Sequence, residues 1–164
     1  MSRWFRAAAT AATAAAIALA PSACGTPETP AGTGGDAPHS GAVQLWSTTS
    51  DLGTVVIDAD GKVAYRSDAD TNQPPTSTCV DSCTQTWQPV LTNGEPVRPL
   101  GVEADKVGSI TRPDGSEQVT LYGWPLYTHA GDGGGLTDTS ANGTDGRWFA
   151  ITPTGEKAGP GPSR

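Results

Sequence analysis

The sequence predicts a mainly β domain made of two copies of one antiparallel hairpin or meander unit, packed as a single compact body with one or two short helices. Three observations lead there. Gly53, Gly61, Tyr65 and Asp70 recur as Gly115, Gly123, Tyr127 and Asp132, each pair 62 residues apart. Both sets read Gly-x7-Gly-x3-Tyr-x4-Asp, and the chain has only three tyrosines, so two of them in register mark a repeated unit. Apolar residues in each copy fall at the strand period, and stretches with helical periodicity are scarce.

The first 23 residues have the three parts of an export signal: Arg3 and Arg6 at a charged start, an apolar Ala-rich run from Ala7 to Ala20, and a small-residue exit at Ser22-Ala23. As a helix that run would span roughly 21 Å at ~1.5 Å per residue, short of the ~30 Å hydrocarbon core of a bilayer. A permanent membrane span is not expected from it. Cys24 follows Pro21-Ser22-Ala23 and precedes Gly25, an order that resembles a bacterial lipobox, in which the thiol takes a diacylglyceryl group and becomes the mature N-terminus. Lipoboxes carry Leu or another aliphatic residue three places before the cysteine; here that place holds Pro21, and the nearest leucine is Leu19. The alternative is ordinary cleavage near Ala23, leaving Cys24 as a free thiol on a secreted protein.

Residues 24–42 form the next segment. From Thr26 to Ser40 it is dense in Pro, Gly, Thr and Ser and has almost nothing large enough to bury, so it reads as a flexible tether holding a folded body off a membrane. Residues 156–164 read as a shorter tail of the same kind. Between them, residues 43–155 are enough for one small domain, with repeats of about 43–97 and 98–155.

Charge limits the partners. The whole chain carries 10 basic and 17 acidic residues. Removing the signal deletes Arg3 and Arg6 and no acids, leaving eight basic residues against 17 acidic and a net charge of −9. Nucleic acid and anionic headgroups are poor partners for such a surface, and the acids are scattered, as on an ordinary soluble exterior.

In the first copy Val55 and Ile57 alternate with Val56 and Asp58, Ala59-Asp60-Gly61-Lys62 makes a turn, and Val63 and Tyr65 resume. Asp-Gly between two such runs is a strong hairpin signal, because glycine supplies the positive φ that a twisted turn needs. In the second copy Gly108 to Arg112 reads as a strand and Pro113-Asp114-Gly115 as a turn. Val119 and Leu121 then share a face, Tyr122-Gly123 turns, and Trp124 to Tyr127 returns. Pro125, without an N–H, belongs at an edge or beside a bulge. Trp87 lies 17 residues after Asp70 and Trp148 lies 16 after Asp132, so both read as equivalent anchors whose rings fill a shared core. A lone hairpin is marginal, so the copies are expected to pack across a pseudo-two-fold axis. Cys79 to Trp87 and Val102 to Val107 are the short helix candidates.

With Cys24 lipidated, Cys79 and Cys83 remain as an even pair in an oxidising compartment and read as a disulfide, worth about 2 kcal/mol for so small a loop. The alternative is a thiolate pair for copper or thiol redox chemistry, for which His129 is the candidate third ligand; His39 falls in the tether.

The pieces Leu52-Gly53-Thr54-Val55-Val56 with Asp58 and Asp60-Gly61, Cys79-x3-Cys83-x3-Trp87, Gly123-Trp124-Pro125-Leu126-Tyr127 and Arg147-Trp148-Phe149 together resemble a bacterial family of secreted-repeat lipoproteins. Its signature is a tandem Tyr-x-(Phe/Trp/Tyr)-x-x-Asp motif. The likeness runs from about Val43 to Gly155. It implies a mostly β fold and an exported, often lipidated protein, and it implies no general activity. The motif maps onto Tyr65 and Asp70 and onto Tyr127 and Asp132. The aromatic expected two residues after each tyrosine is Ser67 in one copy and His129 in the other.

Tyr-x4-Asp has two readings. In the structural one the tyrosine packs at a strand end and the aspartate accepts backbone N–H bonds that hold the following loop. In the functional one phenol and carboxylate converge on a ligand. Paired use of Asp70 and Asp132 by a hydrolase would require both in one cleft. The Gly131 to Gly146 stretch matches neither the EF-hand nor the Gly-rich calcium repeat, and no nucleophile-triad, zinc-protease or phosphate-loop pattern is present. The sequence therefore reads as a non-enzymatic, lipid-anchored envelope protein that needs no cofactor and serves in binding or scaffolding, its partner unnamed.

Overall fold

The computed structural model describes residues 43–135 and 138–159 of the 164-residue chain. The export signal, Cys24, the tether up to residue 42 and the last five residues lie outside the described residues.

Strands β1 (Gln44–Ser50) and β2 (Gly53–Ile57) form an antiparallel hairpin that closes at Ser50 opposite Gly53. Gly53 has φ +90°, the conformation that made glycine necessary at this tight turn. Strand β3 (Tyr65–Ser67) follows the Asp58–Lys62 turn, and the ribbon β4 (Thr71–Asn72) and β5 (Pro75–Thr76) comes next. A 3-10 turn at Asp81–Gln85 leads into β6 (Trp87–Pro89), and β7 (Arg98–Leu100) then runs parallel to β1, giving the sheet order β2-β1-β7.

The second half repeats the plan. Strands β8 (Val107–Thr111) and β9 (Glu117–Leu121) pair antiparallel, and β10 (Trp124–Pro125) adds at the edge, where Pro125 can be tolerated. Tyr122 and Gly123 both have positive φ (51° and 80°), as a two-residue hairpin turn requires. A Cβ at Gly123 would also collide with the Asn72 carbonyl oxygen. Strand β11 (Tyr127–His129), a 3-10 turn at Thr144–Gly146 and β12 (Trp148–Ala150) complete the copy.

The halves interlock. One four-stranded sheet runs β12-β3-β11-β6, so the tyrosine strand of each copy pairs with the tryptophan strand of the other. At the centre Tyr65 and Tyr127 face each other as antiparallel partners, and there the pseudo-two-fold relation crosses the sheet. Matching backbone bonds show it: Val90 N–H donates to the Leu126 carbonyl, and Ile151 N–H to the Ala64 carbonyl.

Three details differ from the sequence expectation. Val56, read as the outward residue of an alternating strand, is fully buried, because the strand has core on both faces. Val55 and Ile57 pack with Tyr65, Trp87, Tyr127 and Trp148, while Val56 packs with Leu45, Val119, Leu121 and Ile151. The two helix candidates are single 3-10 turns, at Asp81–Gln85 and Ala104–Lys106, too short for α-helical hydrogen bonding to propagate. The constant 62-residue offset also breaks. Ala64 N–H bonds to the Val56 carbonyl, eight residues back, whereas Leu126 N–H bonds to the Val119 carbonyl, seven back. The second turn is one residue shorter, so the strands before it are related by an offset one residue larger.

Candidate functional site

The two motif pairs are exchanged between the copies. The Tyr127 hydroxyl donates to Asp70 Oδ2 at 2.8 Å, so the tyrosine of the second copy is held by the aspartate of the first. Asp70 Oδ1 accepts two more bonds, from the Thr78 backbone N–H and from the Thr78 hydroxyl, both at 2.7 Å. The carboxylate thus ties its own loop and anchors the opposite half. Both tyrosines are fully buried, and Asp70 and Asp132 are each 4 % exposed.

A chain of donors continues behind Tyr127. Arg112 Nη1 donates to Ser77 Oγ at 2.8 Å, and Ser77 Oγ and the Tyr127 hydroxyl lie 2.7 Å apart. Since the tyrosine proton goes to Asp70, the serine proton goes to the tyrosine oxygen. A buried cation and a buried anion are therefore linked through two hydroxyls polarised in one direction. Arg112 also donates to Gln118 Oε1 at 2.6 Å and to the Cys79 carbonyl at 2.7 Å, and Gln118 donates to the Leu126 carbonyl at 2.8 Å. Burial and the neighbouring Asp70 charge raise the Tyr127 phenol far above its ordinary ionisation range.

The other pair is looser. The Tyr65 hydroxyl lies near enough to Asp132 for that carboxylate, after burial itself, to keep the phenol protonated far above its ordinary ionisation range. Its hydrogen bond goes instead to the Asp138 carbonyl and is long, at 3.3 Å. Asp132 Oδ1 is 3.3 Å from His129 Nδ1, and Asp132 Oδ2 is buried without a partner among the described residues. His129 Nδ1 also lies 3.3 Å from the Gly131 N–H, so it serves either the carboxylate as donor or the amide as acceptor. Burial raises the Asp132 carboxyl, and the contacts from Tyr65 and His129 offset part of the rise.

Four rings fill the centre. The Trp87 and Trp148 planes stack, and Tyr65 and Tyr127 meet them edge-on at 5.3 Å and 5.1 Å. His129 tilts against Trp87 at 4.9 Å. Cys79 and Cys83 are joined as a disulfide across a Cα separation of 5.3 Å, which leaves neither sulfur as a thiolate ligand in this form. Among the described residues no group of three or more His, Cys, Asp or Glu side chains is placed to hold a metal ion.

The tyrosine does not hold its own copy's aspartate, as a local turn motif would suggest; phenol and carboxylate do converge, but on each other. The polar residues that organise this centre, Arg66, Arg112 and Gln118, were not singled out by the sequence. Arg66 lies over Trp124, its guanidinium carbon 3.2 Å from the ring centroid, and donates to the Gly155 carbonyl at 3.1 Å. Its position beside Tyr65 in a short apolar run was the available signal.

A duplicated, disulfide-bearing β body with an internal aromatic and polar lock is the class this geometry defines. The family model described as "Secreted repeat of unknown function" matches residues 47–91 and 108–152, and the chain belongs to that family. No curated protein and no solved structure matches it.

Proposed function

We propose that this protein is exported, anchored to the cell membrane through a lipid on Cys24, and acts there by binding or scaffolding rather than by catalysis. The observation that supports the non-catalytic part is the use of the motif. Tyr127 and Asp70 are buried and spent on each other, Tyr65 lies against Asp132, and the pattern serves both halves. A residue pair needed to join two copies is not offered to a substrate. The support for the anchor is the order Pro21-Ser22-Ala23-Cys24-Gly25 followed by the Pro/Gly/Thr tether.

Intact-mass measurement on the membrane fraction tests the anchor. The expected product begins at Cys24 and carries a diacylglyceryl mass, and Cys24→Ala moves the protein to the soluble exported fraction. A mature chain that begins elsewhere without lipid, in a membrane-free fraction, overturns it. Turnover of a substrate that survives Tyr127→Phe but is lost in Asp132→Asn, with the fold intact, overturns the non-catalytic reading.

A further inference from the structure

The pseudo-symmetry of the fold leaves one position filled in one half and open in the other. In the filled half, Arg66 projects from β3 opposite Phe149 of β12, lies on Trp124, and donates to the Gly155 carbonyl. Tyr122 closes the same place from the other side, so near Gly155 that a Cβ there would come within 2.8 Å of it. A guanidinium, an indole, a phenol and a phenyl ring thus occupy one location on the sheet.

The matching residues in the other half are small or polar. Thr128 of β11 stands for Arg66 and pairs with Gln88 of β6, which stands for Phe149. Asp60 stands for Tyr122, Lys62 for Trp124, and Asn93-Gly94-Glu95 for Thr154-Gly155-Glu156. The two glycines keep the same backbone, φ +79° at Gly94 and +81° at Gly155. With the large side chains gone, a pocket of about 520 Å³ remains, lined among others by Thr128, Gln88, Asn93, Asp58 and Asp60. That volume lies within the range of small-molecule sites.

Two further features point to what the pocket takes. Thr128 is 6 % exposed, and its hydroxyl makes no hydrogen bond among the described residues. Asp58 and Asp60 put two carboxylates at the wall; Asp58 Oδ1 already accepts the Asp60 and Lys62 backbone N–H groups at 2.9 Å, while no hydrogen bond is made by Asp58 Oδ2 or by the Asp60 side chain. In the filled half Arg66 pairs with Asp68 Oδ1 at 3.5 Å and also feels the charge of Glu156; the repeat places Ala130 at the first of these positions and Glu95 at the second, so the carboxylates offered to a ligand are those of Asp58 and Asp60.

We infer that this pocket is a binding site for a guanidinium-bearing ligand, free or as an arginyl side chain, which takes the place that Arg66 occupies in the other half. The inference rests on the reading of the protein as a binding module and names the ligand chemistry for it. The two carboxylates at the wall, each with an oxygen left free, favour a planar multi-donor cation over a compact ammonium.

The test is a ligand-observed NMR titration of the full mature chain in detergent with four probes: L-arginine amide, an Arg-containing tripeptide, L-lysine amide and L-citrulline amide. Arginine amide should bind, citrulline amide, its neutral isostere, should not, and Asp60→Asn should weaken binding about fivefold, the size of one exposed charge pair. Tighter binding of the tripeptide than of the amide assigns the site to polypeptide; equal binding assigns it to the free guanidine compound. Thr128→Arg should fill the pocket from within and abolish binding while the thermal midpoint holds or rises. Equal binding of citrulline amide and arginine amide, or undiminished binding in Thr128→Arg, overturns the inference. Absence of binding by all four probes also overturns it and leaves the anchor and scaffold reading standing, whereas conversion of a probe to product signals would strike the non-catalytic reading instead.

Discussion

The indole rings of Trp87 and Trp148 lie 4.0 Å apart and 6° from parallel, each supplied by a different copy of the repeat. That stack sits on the four-stranded sheet in which β6 and β12 have changed sides, so neither copy owns a complete core. Cutting either ring removes the packing of both halves at once.

Trp87→Ala and Trp148→Ala should therefore each cost about 3–5 kcal/mol, the usual loss for a large buried ring, and by similar amounts. Denaturant titration followed by circular dichroism measures this. A loss confined to one half, seen as two separate transitions, would contradict the shared core.

Residues 43–97 or 98–155 produced alone should not fold, since each would carry a tyrosine strand and a tryptophan strand without their partners. Calorimetry of the complete chain should show one cooperative transition. A folded single copy would sink this expectation.

Tyr127→Phe should destabilise more than Tyr65→Phe. The first leaves Asp70 Oδ2 and Ser77 short of a buried partner, at about 1–3 kcal/mol, whereas the second removes one long bond to a carbonyl and should cost about 1 kcal/mol. Thermal melts of the two variants under one condition decide it, and the reverse order would show that the Tyr65 and Asp132 pair is the stronger lock.

Stability should fall steeply in alkali. The Tyr65 and Tyr127 phenols are raised in the fold above their ordinary value of 10.0, so both stay protonated there while the unfolded chain releases its protons. Their contribution is complete below pH 10 and is lost as pH rises toward the folded values, with a slope of about 1.4 kcal/mol per pH unit for each tyrosine. Tyrosinate absorbance should rise first for Tyr122, the partly exposed one, and for the buried pair only on unfolding. Tyr127→Phe should halve the slope.

Reducing the Cys79 and Cys83 bridge should lower stability by about 2 kcal/mol and leave the fold in place, because the loop it closes is short and Arg112 still holds the Cys79 carbonyl. Arg112→Ala should do more damage, about 3–5 kcal/mol, by leaving Asp70, Gln118 and that carbonyl without their buried cation. Comparing reduced wild type with oxidised Arg112→Ala separates the two effects.

Much of this was written along the chain. Spacing alone marked the duplication, because a repeated unit must reuse its turn glycines at Gly61 and Gly123, and alternation with Asp-Gly and Tyr-Gly turns marked the strands. Trp87 and Trp148 were legible as matched anchors, since a shared core explains two large rings at nearly equal distance, 17 and 16 residues, from the motif. Which copy each partner came from was not legible. That Tyr127 answers to Asp70, that β6 and β12 trade places, and that Thr128 leaves open what Arg66 fills all depend on contacts between residues far apart in the chain. Local periodicity reports which face a residue turns inward, while the partner it meets there is set by how the two copies close on each other.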